Sequence, residues 1–338
     1  MEENKSFSMG QSPKALGKLT KRCERTRAYA PDGYGRMRMS PDGRFVALNN
    51  GILWNLEDDA VVFEKEEYWL NGGFTADSRF CLMARQEPRG MKIYDDILLI
   101  RSETGEIVKT YREKSRCLVL DPKGQFFLTA FEEAGKIRFS QFQIGDGKLM
   151  ASWSWPLKNQ ELIPKNLYLA ENGQALYAEL GSLRFYRDCD PCELLKFRLD
   201  SHESLFTGRV ETHVSPQSFT EENIVTEGGP VLDTATGRKL RDLPDGAFGP
   251  VALLTDGITA VFGVEFRECE GSGIKCYNIQ SGEKIGSEIV WMDPLSPFPV
   301  DVFPREIAVS SDGRRVLYIF QVNGRTKASC CEIEWLYE

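Results

Sequence analysis

Short apolar runs, broken at regular intervals by Gly, Asp, Asn and Ser, cover almost the whole chain. The clearest unit lies between Met39 and Glu64. There Phe45-Val-Ala-Leu, Ile52-Leu-Trp and Ala60-Val-Val-Phe are separated by Asn49-Asn50-Gly51 and Glu57-Asp58-Asp59, and Asp42-Gly43 precedes the first run. Runs this short, rich in branched and aromatic residues and bounded by turn formers, predict strands. Asp-Gly and Asn-Gly supply the positive φ that tight hairpin turns demand, so the unit predicts an antiparallel meander. Such a unit cannot bury both faces of its small sheet alone and needs copies of itself on either side.

The opening turn recurs. After Ser40-Pro-Asp-Gly43 come Thr75-Ala-Asp-Ser78, Asp121-Pro-Lys-Gly124, Ala170-Glu-Asn-Gly173, Thr220-Glu-Glu-Asn223, Leu254-Thr-Asp-Gly257 and Ser310-Ser-Asp-Gly313. Six intervals separate Gly43 from Gly313, a span of 270 residues and a mean of 45. A second turn family follows the first, at Glu103-Thr-Gly-Glu106, Gly145-Asp-Gly-Lys148, Thr234-Ala-Thr-Gly237 and Gln280-Ser-Gly-Glu283, marking the hairpin between third and fourth strands. A period near 45 with strand-type runs predicts propeller blades of four strands each. The expected fold is all-β, a seven-bladed β-propeller of four-stranded antiparallel blades spanning residues 18–338, behind a disordered tail at 1–17. After Arg305 only three strands fit, at 305–309, 314–321 and 327–336. The missing fourth is expected from residues 18–29, pairing the two chain ends and removing an open sheet edge.

Ser40-Pro-Asp-Gly-Arg-Phe-Val-Ala and Ser310-Ser-Asp-Gly-Arg-Arg-Val-Leu resemble the first hairpin of WD-repeat and YVTN-type propellers. Gly51-Ile-Leu-Trp-Asn-Leu resembles the third strand, where WD-repeats carry a Trp-Asp pair. Here the position reads Trp54-Asn55, and elsewhere Tyr277-Asn278 or Leu232-Asp233. No Gly-His dipeptide occurs, so the bonding tetrad of strict WD-repeats is absent. The resemblance covers nearly the whole chain and implies the fold more than a function.

In such a blade the first-to-second and third-to-fourth turns share one face of the disc. The second-to-third loops and the links between blades share the other. The first set is tight. The second set holds the expected insertions, at 86–95, 156–165, 187–193, 265–273 and 291–304. One-sided insertions mark a binding face. Arg89, Tyr94, Trp155, Arg267, Trp291 and Phe298 supply there the residue types that dominate interface hot spots, and are the candidate binding residues. Prolines stiffen the link from Trp291 to Pro304, which lowers the entropy cost of presenting aromatics. The competing expectation for these aromatics is that they fold back to plug the narrow end of the disc.

Composition narrows the classes. Hydrophobic residues make up 41% of the chain, enough for a large core, and no run approaches a membrane span. The net charge of −8 speaks against general nucleic-acid binding. Residues 1–28 carry seven basic and three acidic residues, a basic segment on an acidic body, read as solvated or folded against that body. Nine cysteines, several inside apolar runs, fit free thiols of a reducing compartment, so a cytoplasmic location is expected. The polar N-terminal residues carry no apolar signal segment.

Catalytic patterns are sparse. Cys189-Asp-Pro-Cys192 has CxxC spacing without a second pair or spaced histidines, and reads as a turn rather than a zinc site. His202 and His213 have no recognisable nucleophile beside them. Phosphate-binding glycine motifs are missing, and no cofactor is expected. The sequence therefore predicts a non-catalytic scaffold that binds a protein or peptide on the long-loop face. The alternative is a propeller enzyme, of lactonase or hydrolase type, with carboxylates or a metal in the central channel.

Overall fold

The computed structural model describes residues 12–28, 37–48, 51–65, 68–86, 95–157, 161–170, 173–182, 192–210, 212–244, 247–266, 271–292, 302–322 and 325–337. Strand β1 (Ala15–Ala28) comes first and belongs to the last blade. The first blade is β2 (Arg38–Met39), β3 (Phe45–Leu48), β4 (Ile52–Asn55) and β5 (Ala60–Glu64). The second is β6 (Tyr68–Phe74), β7 (Phe80–Gln86), β8 (Asp95–Arg101) and β9 (Ile107–Glu113). The third is β10 (Cys117–Leu120), β11 (Phe126–Glu133), β12 (Lys136–Gln143) and β13 (Leu149–Pro156). The fourth is β14 (Leu162–Ala170), β15 (Ala175–Ser182), β16 (Cys192–Arg198) and β17 (Ser204–Val210). The fifth is β18 (Val214–Phe219), β19 (Asn223–Thr226), β20 (Pro230–Asp233) and β21 (Lys239–Asp242). The sixth is β22 (Val251–Leu253), β23 (Thr259–Phe266), β24 (Gly271–Asn278) and β25 (Lys284–Met292). The seventh is β26 (Val302–Val309), β27 (Arg315–Val322) and β28 (Arg325–Leu336), completed by β1 in the order β1-β28-β27-β26. All pairings are antiparallel, and the first strand of each blade faces the centre of the ring.

Seven apolar clusters hold the ring, and each spans the seam between two neighbouring blades. The cause is the two-residue period of a strand. In β15, Ala175 and Tyr177 enter the seam with the fifth blade, whereas Leu176, Ala178 and Leu180 enter the seam with the third. Cys330 and Cys331 likewise point to opposite seams. Burial pushes the Cys331 thiol up to about 12, as expected of a cysteine used as a small hydrophobe.

The recurring turn is a hydrogen-bonded device. Ser40 Oγ donates to Asp42 Oδ1 at 2.6 Å and accepts from Phe45 N at 2.9 Å, while Arg44 N donates to Asp42 Oδ1 at 3.0 Å. Ser310, Asp312 and Arg315 repeat this in the last blade, and Thr75, Asp77 and Phe80 in the second. The Asx residue ending the third strand caps the following turn. Asn278 Oδ1 accepts from Gln280 N and Ser281 N, both at 2.9 Å, and Asp233 Oδ1 accepts from Thr236 N at 2.7 Å. Gly105, at φ +69°, lies in the β8–β9 turn where a Cβ would fall 1.9 Å from the Val62 carbonyl oxygen of the preceding blade, so only glycine fits.

The N-terminal strand closes the ring as the sequence predicts, beginning slightly earlier. Ala15–Gly17, assigned above to the tail, are the first residues of β1, and residues 1–11 lie outside the described residues. The register runs from Ala15 opposite Leu336 to Ala28 opposite Arg325. Arg22 Nη2 meets Glu332 Oε2 at 2.6 Å. Glu24 Oε2 accepts from Ser329 Oγ at 2.9 Å, and Lys327 Nζ lies 3.3 Å from its other oxygen.

The expected insertions are shorter than the sequence implied, and at two of them the strands take over residues that look like loop. Leu162–Lys165 belong to β14, which absorbs Pro164 at a bulge between Pro164 and Asn166. Phe266 pairs with Gly271, so residues 271–273 are strand, with a bulge between Ser272 and Gly273. Bulges let the chain carry residues that break a regular ladder without leaving the sheet. No helix among the described residues is long and apolar enough to cross a membrane.

The closure ties folding to pH. Partial burial raises the Glu24 carboxyl, but hydrogen bonds from Lys21 and Ser329 and the charges of Lys21 and Lys327 outweigh it, leaving it below its ordinary value. The hydrogen bond from Thr75 lowers Asp77, and that from Thr236 lowers Asp233. A carboxyl depressed in the folded state stabilises the fold above its unfolded pKa, and that contribution disappears as pH falls through the folded value. The urea midpoint is therefore expected to decline once pH drops below about 4.5, the ordinary range of a free glutamate. Glu24→Gln should remove part of that acid limb; an acid limb identical in the variant would refute the assignment.

Candidate functional site

The second-to-third loops and interblade links all emerge on one face, because every blade is an antiparallel meander running from the centre outward. The candidate binding residues divide sharply there. Arg89, Tyr94, Arg267 and Phe298 lie outside the described residues. Trp155 ends β13 half-buried, packed against the seam of the third and fourth blades with its ring edge-on to Phe197 at 5.7 Å. Trp291, in β25, is also half-buried against the seam of the sixth and seventh blades. Its ring lies 5.9 Å from Phe320 and carries Lys327 Nζ 5.5 Å above it. Both indoles thus pack against the blade that follows their own in the chain. Phe248, on the link between β21 and β22, was not singled out in the sequence and is 61% exposed on this face.

At the centre, a cavity of about 250 Å³ lies among the inner strands. Met37, Gly72, Val119, Leu167 and Ala308 line it, with Arg38 and Gln217 as its polar contributors. Arg38 extends over the Tyr168 ring, 6.0 Å from its centroid. Gln217 is committed to the backbone of the last blade: its Nε2 donates to Val309 O at 2.8 Å and its Oε1 accepts from Val309 N at 2.7 Å. Small and apolar side chains thus share the lining with these polar groups.

A third feature sits at the seam of the fourth and fifth blades and corrects the reading of His213. Cys192 Sγ lies 3.2 Å from His213 Nδ1, so this histidine does have a thiol beside it. Glu179 Oε1 lies 2.5 Å from the same nitrogen. Glu179 and Cys192 are buried and His213 is partly exposed. Three segments converge here: the middle of β15, the first residue of β16 and the link before β18. Their spacing in the chain obeys no motif. The visible signal was a carboxylate inside the apolar run Ala175-Leu-Tyr-Ala-Glu179-Leu, since a glutamate is almost never fully buried without partners. His202, by contrast, takes φ 56° in the β16–β17 turn and stacks on Trp153 at 4.3 Å.

No protein-family model and no curated protein matches the sequence. Solved structures match it in fold. The crystal structure of the Myceliophteria thermophila Cps50 (Swd1) β-propeller domain is 11% identical, with a TM-score of 0.59 over 91% of this chain and 99% of that one. A chain of the mitotic checkpoint complex is 13% identical, with a TM-score of 0.56 over 98% of each chain. A chain of Kuenenia stuttgartiensis hydrazine synthase is 14% identical, with a TM-score of 0.55 over 88% of this chain and 96% of that one. By strand order, ring closure and these likenesses, the chain has the fold of a seven-bladed β-propeller.

Proposed function

We propose that the chain is a non-catalytic scaffold that docks a protein or peptide on the face bearing the second-to-third loops and the interblade links. The observation that carries this reading is the exposed Phe248 on that face, 61% accessible on an interblade link next to Gly249 and Pro250. A large aromatic held out from a rigid ring is the residue type and setting of an interface anchor. The fold likeness to a chain of the mitotic checkpoint complex, a protein assembly, supports the same reading. Trp155 and Trp291 contribute mainly by holding the strands beneath this face.

Tagged full-length chain purified from its native host is expected to bring down a partner that Phe248→Asp loses. An aromatic anchor contributes about 2 kcal/mol or more, roughly a 30-fold loss of affinity. Leu149→Asp, a change at an exposed position on the outer strand β13, should leave recovery intact. Equal recovery with Phe248→Asp would remove this face as the docking surface.

A further inference from the structure

The Glu179–Cys192–His213 cluster has a geometry that neither an ion pair nor a catalytic relay explains. A nucleophile, base and orienting acid need the two opposite nitrogens of the imidazole, one for each neighbour. Here the thiol sulfur and the carboxylate oxygen both approach Nδ1, at 3.2 and 2.5 Å. An ion pair with Glu179 accounts for the carboxylate, and the sulfur stands beside the same nitrogen as a third donor atom. Three donor atoms of three different kinds lie within 4.8 Å of one another, close enough to share one ion at a point between them.

The surroundings prepare that point. Glu179 is fully buried, and its second oxygen, Oε2, lies 2.7 Å from the donating Asn166 Nδ2 and 3.0 Å from the Tyr168 hydroxyl. These contacts fix the carboxylate and leave Oε1 directed at Nδ1, as outer-shell partners orient a metal-bound carboxylate. Thiolate, imidazole and carboxylate together suit zinc, whereas calcium and magnesium take oxygen donors. Zinc–ligand bonds of 2.0–2.3 Å in a tetrahedron place donors about 3.3–3.6 Å apart. The sulfur–nitrogen distance is already close to this. The nitrogen–oxygen distance must open by about 1 Å, a shift available to His213, which stands in a link and is partly exposed.

We infer that Glu179 Oε1, Cys192 Sγ and His213 Nδ1 form a binding site for one zinc-class divalent cation, clasping the fourth blade to the link that enters the fifth. Three protein donors leave one tetrahedral position for water or a further side chain. Cys189, which completes the CxxC spacing in the sequence, lies outside the described residues and is not counted in the site.

The test uses the full-length chain stripped with a chelator and titrated with cobalt(II) alone, then zinc(II). The expected result is about one cobalt per chain, a thiolate-to-cobalt charge-transfer absorption, displacement by zinc, and a higher thermal midpoint with zinc than without. Cys192→Ser should abolish the charge-transfer absorption. His213→Ala should abolish both binding and the zinc-dependent rise in midpoint, and Asn166→Ala should weaken binding by about 10–100-fold. Should Cys192→Ser fail to fold by circular dichroism, His213→Ala, altered at a partly exposed position, decides alone. A stripped wild-type chain that takes up no cobalt, or a His213→Ala chain with the wild-type cobalt spectrum and affinity, would overturn the site.

Discussion

A chain lacking residues 1–28 is expected to lose the closed ring and appear as aggregates or as species larger than the intact chain in light scattering after gel filtration. The cause is the edge left behind. Strand β28 runs from Arg325 to Leu336 and pairs on one side with β27; without β1 its other side presents unpaired amides and carbonyls. A long open edge recruits strands from other molecules. The loss extends beyond the backbone. Leu16 and Leu19 pack against the seam of the sixth and seventh blades, and Cys23 against the seam of the seventh and first. Arg22 and Glu24 anchor the register through Glu332, Ser329 and Lys327. A synthetic peptide covering residues 12–28, added during refolding, should restore the size of the intact chain. A truncated chain with the intact chain's size and an unaltered thermal midpoint would show that the closing strand is dispensable.

The second large effect is expected at Trp54. Its side chain is fully buried at the seam between the first and last blades, among Val46, Leu317 and Ile319. Its indole nitrogen donates to Asp59 Oδ1 at 3.0 Å, tying the third strand to the turn that follows it. Trp54→Ala removes the largest side chain from that seam and leaves a cavity, at a cost of about 3–5 kcal/mol. For a domain of this size that corresponds to a fall in midpoint of roughly 4–7 °C. Trp54→Phe keeps most of the volume but loses the donor, so its cost should be distinctly smaller. Equal midpoints for Trp54→Ala and the wild type would place the seam's stability elsewhere.

Ring architecture was legible because its cause is local. Ser40-Pro-Asp-Gly43 and Ser310-Ser-Asp-Gly313 announce their turns through hydrogen bonds made within five residues, and the apolar runs on either side reveal their strands directly. Even the closing strand could be inferred, from the absence of a fourth run after Leu336. The loop face was less legible. Pro164 and Gly271–Gly273 look like loop residues, yet bulges keep them in the sheet. Trp155 and Trp291 look like presented aromatics, yet neighbouring blades bury half of each. The Glu179, Cys192 and His213 cluster was illegible for a stronger reason: its histidine reaches the other two only through the packing of two blades, and the CxxC spacing drew attention to Cys189 rather than to the histidine 21 residues downstream of Cys192.

Joining both ends of the chain in one blade also fixes the order in which the protein can be finished. Arg22 leaves the ribosome 310 residues ahead of Glu332, the side chain it must meet. Throughout synthesis the first strand has no partner of its own, and the last seam cannot be sealed until the final hairpin has emerged. Completion is therefore a single late event linking segments about 310 residues apart, the kind of non-local step that slows folding. A stall anywhere before that hairpin leaves a nascent chain with two sticky margins instead of none.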